Sequence, residues 1–127
     1  MGLPLLIVDA ANVVGSVPDG WWRDRRGAAQ RLRDALVPVA RSGVDGIVEL
    51  TGPVEVVLVV EGAARDIEGR PEVRVVAAPG SGDDAIVELA GSASGPVWVV
   101  TADRGLRDRV VARGAQVLGP RSVPRTP

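Results

Sequence analysis

Several residue types on which enzymes commonly rely are missing from this chain. It contains no cysteine, no histidine and no lysine, so all 15 of its basic residues are arginines. Without cysteine and histidine, the sequence excludes disulfides, zinc sites built on those residues, thiolate nucleophiles and imidazole bases. Without lysine, it excludes any mechanism that needs a side-chain amine. Catalysis would have to use carboxylate, hydroxyl, amide and guanidinium groups.

Aromatic residues are scarce as well, because three tryptophans are the only ones among the 127 residues. The core must therefore be built from valine, leucine, isoleucine and alanine. An apolar content of 46% is within the range of globular proteins. Valine occurs in short runs, which is typical of buried parallel strands. A chain of this length predicts one domain.

Long apolar runs are also absent. No segment approaches the roughly 18 consecutive apolar residues of a transmembrane helix, and no basic stretch precedes the apolar start as it would in a signal peptide. We therefore expect a cytoplasmic protein without a membrane partner. The formal net charge of −1 by itself indicates neither nucleic acid nor membrane as a partner.

Apolar runs alternate with amphipathic segments along the chain. The predicted strands are residues 4–8, 54–60, 73–78, 96–101 and 115–118. The predicted helices are residues 23–41, 83–91 and 104–113, whereas residues 42–53 are irregular. This alternation predicts an α/β fold over residues 1–120, a single Rossmann-like three-layer domain with a mainly parallel sheet of about five strands. Residues 121–127 are expected to form a flexible tail.

Acidic residues follow nearly every predicted strand. In open α/β sheets, ligands bind outside the carboxyl ends of the strands. Two carboxylates about 4 Å apart repel by about 4 kcal/mol at an effective dielectric of about 20, so a cluster needs protons or a divalent cation to neutralise it. Oxygen ligands favour Mg²⁺ or Mn²⁺, and such an ion is suited to activating water against a phosphodiester. The polar residues at the strand ends are Asp9, Asn12, Glu61, Asp83, Asp84, Thr101 and Asp103.

Three sequence blocks resemble the signature blocks of the PIN-like nuclease superfamily, and its NYN branch in particular. They read VDAANVVG, GSGDDAIVELA and VVTADRGLRDRVVARGAQVLGP, within a resemblance that covers residues 5–120. The resemblance implies a sheet of strand order 3-2-1-4-5 and an acidic pocket for Mg²⁺ or Mn²⁺. It also implies RNA as the partner and a metal-dependent endoribonuclease, which hydrolyses RNA phosphodiester bonds, as the activity.

The first two blocks imply particular metal-binding and catalytic residues. Asp9 matches the metal ligand at the end of the first strand, and Asn12 matches the amide that orients this ligand or contacts the substrate. Asp84 matches the ligand that opens the middle helix, because an apolar stretch follows it as in the family. Asp83 stays open as the alternative metal ligand, since the register could shift by one residue.

The third block and the end of the second strand supply the remaining residues of the implied site. Asp103 matches the metal ligand after the fourth strand, with Thr101 as a hydroxyl neighbour that contacts the substrate. Glu61 takes a place where relatives of the NYN branch often carry an aspartate, so the resemblance implies it as a further metal ligand. Both Asp103 and Asp84 also have a structural alternative, because each lies where a helix cap is expected.

One departure from the family pattern favours a different function. Many PIN ribonucleases carry a glutamate late in the first helical region, where this chain offers Asp24 and Asp34 but no glutamate. Glu49 lies in the irregular segment. A pocket that is one acid short suggests the alternative of a catalytically degenerate PIN-like module, which binds RNA or a protein partner without cleaving it.

A pair of tryptophans, Trp21 and Trp22, is surrounded by arginines. Tryptophan stacks on bases and arginine binds phosphates, so Trp22 and Arg23 are predicted to contact RNA. Arg104 is predicted to do the same from its position beside the third acidic block. Two alternatives stay open: the indoles pack on the core, or they mark the surface of a homodimer.

Overall fold

The computed structural model describes residues 2–127, in which five strands alternate with helices. The strands are β1 (Leu5–Asp9), β2 (Glu55–Val60), β3 (Val73–Ala77), β4 (Val97–Val100) and β5 (Gln116–Leu118). The α-helices are α1 (Ala10–Val14), α2 (Arg25–Ser42), α3 (Gly82–Ser92) and α4 (Arg104–Val111). Short 3₁₀ turns occupy Trp21–Arg23, Val48–Leu50, Gly62–Ala64 and Pro120–Ser122.

The five strands form one parallel sheet in the order β3-β2-β1-β4-β5. This confirms the predicted fold class and strand order. β1 is the central strand, with Leu6 paired to Val56 of β2 on one side and to Trp98 of β4 on the other. The strand order changes direction between β1 and β4, which opens a crevice at their carboxyl ends.

Two hydrophobic cores lie on opposite faces of the sheet. Successive side chains of a strand point to opposite faces, so Leu6 and Val8 pack against α1 and α2, while Ile7 packs against α3 and α4. All three side chains are fully buried. The apolar run of β1 therefore serves both cores, and the result is the three-layer arrangement that the sequence predicts.

The short helix α1 is absent from the sequence prediction. Its residues include Asn12, Val13 and Val14, which are poor helix formers because of side-chain competition and β-branching. Val13 is fully buried and Val14 nearly so, both in the core beneath α2. Tertiary packing thus overrides local propensity in the five residues that follow Asp9.

The C-terminal residues pack against the domain, which differs from the expected flexible tail. Val123 is 5% exposed and belongs to the core on the α1–α2 face. Arg125 donates from Nη1 to Oδ2 of Asp19 at 2.6 Å. One apolar anchor and one ion pair therefore hold this segment in place. No helix in the described part of the chain is both long and apolar enough to cross a bilayer.

Candidate functional site

Asp9 is buried at the carboxyl end of the central strand. It is 6% exposed, and it is the N-cap of α1, the helix that is absent from the sequence prediction. Its Oδ1 accepts from the backbone N–H of Asn12 at 3.4 Å. Its Oδ2 accepts from the hydroxyl of Thr101 at 3.0 Å. Asp9 therefore caps a helix and also lies in the crevice between β1 and β4.

The environment of Asp9 opposes its ionisation. Burial is the main cause that raises its pKa, and the hydrogen bonds from Thr101 and Asn12 only partly offset it. The negative charges of Asp83 and Glu61 add to the effect, and the pKa of Asp9 rises to about 6. A carboxylate in this position gains more than an exposed one from a cation, which would relieve both the desolvation and the repulsion.

Thr101 and Asn12 connect the two sides of the crevice. Thr101 is 2% exposed, and its Oγ1 donates to Asp9 while accepting from the backbone N–H of Asp103 at 3.1 Å. Asn12 accepts through Oδ1 from the backbone N–H of Ala102 at 2.8 Å. The prediction that Thr101 contacts the substrate does not fit its burial. It lies beneath the acids and fixes the position of Asp9 relative to Asp103.

Asp103 has the capping role that the sequence offered as its structural alternative, and it also lies near another carboxylate. Its Oδ1 accepts from the backbone N–H of Leu106 at 2.9 Å, which makes it the N-cap of α4. Its charge also raises the pKa of Asp83, so the two carboxylates are close enough to repel. Capping uses one oxygen, and the other remains for a ligand.

The structure favours Asp83 over Asp84 as the acid that α3 brings to the site. The Asp84 side chain is 85% exposed, and its Oδ1 accepts from Nη2 of Arg109 at 2.8 Å. The pKa of Asp83 is raised by burial first and then by the charge of Asp103. Of the two acids that the sequence left open, Asp83 therefore lies nearer the other strand-end carboxylates, and Asp84 faces solvent.

Glu61 joins the end of β2 to the start of α3. Its Oε2 accepts from the backbone N–H of Gly82 at 3.1 Å, and its charge contributes to the raised pKa of Asp9. Glu61 thus belongs to the same cluster as the three aspartates. We call this set the acid cluster, and its members are Asp9, Glu61, Asp83 and Asp103.

None of the residues considered for the missing family glutamate joins the acid cluster. Asp24 caps α2 by accepting from the N–H of Gly27 at 2.9 Å. Asp34 accepts from Arg33 and Arg70, at 3.0 Å from the Nε of each. Glu49 is exposed in a 3₁₀ turn. None of these three residues therefore replaces the glutamate of the family pattern in the acid cluster.

The acid cluster offers the oxygen ligands that Mg²⁺ and Mn²⁺ prefer. Within residues 2–127, however, no three acidic side chains lie close enough together to form a ready-made metal site. Mg²⁺ is commonly held by only one or two carboxylates, with waters and substrate phosphates completing its shell. The donor chemistry therefore fits such an ion, held by few protein ligands and completed by the substrate.

Two open clefts flank the acid cluster. The first, of about 250 Å³, lies between α1, α2 and the 3₁₀ turn after β2, and Trp21, Arg25 and Glu61 are part of its wall. The second, of about 470 Å³, lies between Asn12, Ala102 and the 3₁₀ turn at Pro120–Ser122. Together they extend a concave surface to both sides of Asp9.

The two tryptophans have different surroundings, and one of them fits the alternative of packing on the core. Trp21, rather than Trp22, lines the first cleft, and it also packs against the core. Trp22 is 48% exposed and meets Trp21 edge to face, with ring centroids 5.9 Å apart. Arg23 is exposed beside it, whereas Arg25 enters the cleft. Trp21 lies in a 3₁₀ turn and Arg25 begins α2, so helical spacing does not predict their contact.

Three arginines near the acid cluster have no carboxylate partner among residues 2–127. In the described part of the chain, no acidic oxygen lies within 4.0 Å of the guanidinium groups of Arg25, Arg104 or Arg121. Arg104 directly follows Asp103, and Arg121 lines the second cleft. The six arginines that do form ion pairs are Arg26, Arg33, Arg41, Arg70, Arg109 and Arg125.

The sheet order and the three-layer packing define a PIN-like α/β fold. Two similar solved structures are both of Rae1 (YacP) from Bacillus subtilis. A tryptophan-to-leucine mutant of Rae1 is 18% identical with a TM-score of 0.67, over 94% of this chain and 72% of that chain. The other is 17% identical with a TM-score of 0.63, over 96% and 71%. This likeness shows the fold alone. No family model and no curated protein matches the sequence.

Proposed function

We propose that this protein is a metal-dependent ribonuclease of the NYN branch, which hydrolyses RNA phosphodiester bonds at the acid cluster. The observation that carries the proposal is the position of Asp9. It is buried at the switch in strand order, bonded to Thr101, and surrounded by the charges of Asp83 and Glu61. Burying one acid among others is unfavourable unless a cation compensates for the negative charge. Binding a cation would therefore offset the cost of burying Asp9 in this position.

Mg²⁺ or Mn²⁺ would be held by Asp9, with Asp83 and Asp103 as further ligands and Glu61 in support. Such an ion lowers the pKa of bound water and neutralises charge on the scissile phosphate. Thr101 holds Asp9 and Asp103 in register through its hydroxyl. Since α4 is capped through one oxygen of Asp103, this ligand is fixed on a rigid element.

Substrate positioning falls to the amide and guanidinium groups around the cluster. Ala102 occupies the Oδ1 end of Asn12, so the Nδ2 end of the same amide is the part that can donate to a phosphate oxygen. Arg104 and Arg121 supply positive charge on the same side of the crevice. Arginines without acidic partners suit the RNA backbone, which binds proteins largely through its phosphates.

A cleavage assay on single-stranded RNA tests this proposal. We expect cutting with Mn²⁺ and none with EDTA, and we expect a circular RNA to be opened, because only an endonuclease can act on it. Glu61→Gln should slow cleavage by about 10-fold, the lower limit for loss of a supporting group at a metal site. Glu49→Gln, a matched change at an exposed acid far from the cluster, should cleave as the wild type does.

The rival function is RNA binding without cleavage, and one observation favours it. No three acids among residues 2–127 are arranged as a finished metal site. The rival predicts that wild-type protein binds the RNA yet leaves it intact with Mg²⁺ and with Mn²⁺. That result, obtained with folded protein, would replace the ribonuclease proposal by the binding module.

A further inference from the structure

The first cleft is a small apolar pocket with a planar aromatic wall. Buried Ala10, Val14 and Ala29 line it, and its rim includes the exposed side chain of Ala63. Trp21 is partly buried, which fixes the orientation of its ring while leaving part of it in the cleft. The pocket is thus built from side chains that are already held in place by the core.

A cationic planar group accompanies this aromatic wall. The guanidinium carbon of Arg25 lies 5.3 Å from the centroid of the Trp21 ring, within the range of a cation–π contact. No carboxylate within residues 2–127 forms an ion pair with Arg25. Indole and guanidinium groups are the two planar surfaces on which unstacked RNA bases are bound.

We propose that this cleft binds one unstacked nucleobase of a single-stranded RNA, stacked on Trp21 and contacted by Arg25. A volume of about 250 Å³ is below the roughly 300–1,000 Å³ typical of sites for drug-sized ligands, so it suits one ring system rather than a larger molecule. The apolar lining accommodates a base face, and the arginine provides attraction to the attached phosphate.

The cleft also shares a residue with the acid cluster. Glu61 lies in the wall of the cleft together with Ala10, the residue that directly follows Asp9. A base held beside Trp21 would therefore place its neighbouring phosphate at the acid cluster. This placement rests on the proposed ribonuclease function, whereas the binding of the base does not. The cleft would select substrates with an unpaired nucleotide next to the cutting site.

Binding measured without divalent metal separates the two proposals. Fluorescence anisotropy of a labelled eight-nucleotide RNA in EDTA reports binding when cleavage is prevented. We expect a set of such RNAs, each with one abasic nucleotide, to contain a position where the missing base weakens binding by 5-fold or more. Loss of stacking on one base is worth about 1–3 kcal/mol, which corresponds to roughly 5- to 150-fold.

Two variants connect that position to the cleft. Ala63→Leu fills the cleft from its exposed rim and should remove the preference for the intact base. Ala112→Leu adds the same side chain at an exposed position directly after α4 and should keep the preference. Trp21→Leu should act like Ala63→Leu. Because Trp21 also packs on the core, this variant could fail to fold, and in that case Ala63→Leu alone provides the test.

Three results would overturn the base-binding proposal. The first is an abasic series in which all RNAs bind with the same affinity, and the second is an unchanged preference for the intact base in folded Ala63→Leu. The third is a wild-type protein without affinity for the RNA, which would leave a protein ligand as the alternative for the cleft. Base-dependent binding without cleavage in Mn²⁺ would support the cleft and reject the ribonuclease. Cleavage without any base dependence would support the ribonuclease and reject base binding in the cleft.

Discussion

Asp9→Asn should greatly slow RNA cleavage and, in metal-free buffer at pH 8, make the protein more stable. Losing the buried ligand should slow cleavage by about 10²–10³-fold, because metal-based charge stabilisation is worth several kcal/mol in the transition state. The gain in stability has a separate cause. The pKa of Asp9 is raised from 3.8 to about 6 in the folded protein, mainly by burial, so ionisation above pH 6 opposes folding.

The direction of the pH effect follows from proton binding. Below about pH 4, Asp9 is protonated in both the folded and the unfolded chain, and ionisation contributes nothing. Between about pH 4 and 6 the unfolded chain ionises first, so the free energy of unfolding falls as the pH rises. Above pH 6 the ionisation of Asp9 lowers the free energy of unfolding by its full amount. The pKa differs by about 2 between the folded and the unfolded chain, which corresponds to about 3 kcal/mol. Asn cannot ionise, and its amide loses one accepted hydrogen bond, which costs about 1 kcal/mol.

The variant should therefore be less stable than the wild type at pH 4 and more stable by about 2 kcal/mol at pH 8, or roughly 5–10 °C in melting temperature. Thermal melts in EDTA across pH 4–8 measure the crossover. Asp45→Asn, at an exposed loop acid, is the matched control and should follow the wild type throughout. Curves for Asp9→Asn and wild type that stay parallel across this range would show that Asp9 is not desolvated.

Asp83→Asn and Asp84→Asn should differ sharply, although the two residues are adjacent in the first turn of α3. We expect Asp83→Asn to slow cleavage by about 10–100-fold, as loss of a group at a metal site commonly does. Asp84→Asn should leave cleavage nearly unchanged, because this side chain is 85% exposed and its partner is Arg109. An exposed ion pair of this kind contributes little to stability.

The pair of variants is its own control for helix effects. Each substitution removes one negative charge from the N-terminal turn of the same helix, so both alter the interaction with the helix dipole to a similar extent. Initial cleavage rates in Mn²⁺ at matched protein concentration measure the difference. A large loss of cleavage rate in Asp84→Asn with a normal rate in Asp83→Asn would support Asp84, as the sequence resemblance implies. It would contradict the inclusion of Asp83 in the acid cluster.

The sheet was predictable from sequence because its strands are short apolar runs separated by helices. All five predicted strands form, and their ends shift by two residues at most. Buried parallel strands need apolar side chains on both faces, which leaves a clear signal in β1 and β2. The helix α1 left no such signal, because Val13 and Val14 favour strands locally and become helical only through burial in the core.

Helical periodicity distinguishes the positions of Asp83 and Asp84 on α3. Ile86, Val87 and Ala90 are buried, and they lie three, four and seven residues after Asp83. This spacing places Asp83 on the inner face of α3, and it turns Asp84 outward. The match to the family pattern rests on the apolar residues that follow the two aspartates, and these residues do not distinguish Asp83 from Asp84. Side-chain direction on the helix does.

Other features of the site could not be read from local sequence. The hydrogen bond from Thr101 to Asp9 joins residues that are 92 positions apart, and it exists because β4 lies beside β1. The raised pKa of Asp9 likewise depends on how deeply the end of the central strand is covered. A pattern of acids at strand ends locates the cluster, whereas the burial and distances within it come from packing.

Anomalous X-ray diffraction from crystals soaked in Mn²⁺ would test the shared metal site most directly. The acid cluster should show one strong peak within coordination distance of an Asp9 oxygen and of at least one oxygen of Asp83 or Asp103. That peak should vanish in Asp9→Asn crystals soaked in the same way. A cluster that stays empty at saturating Mn²⁺, or a peak bound through Asp84 with none at Asp9, would contradict the account.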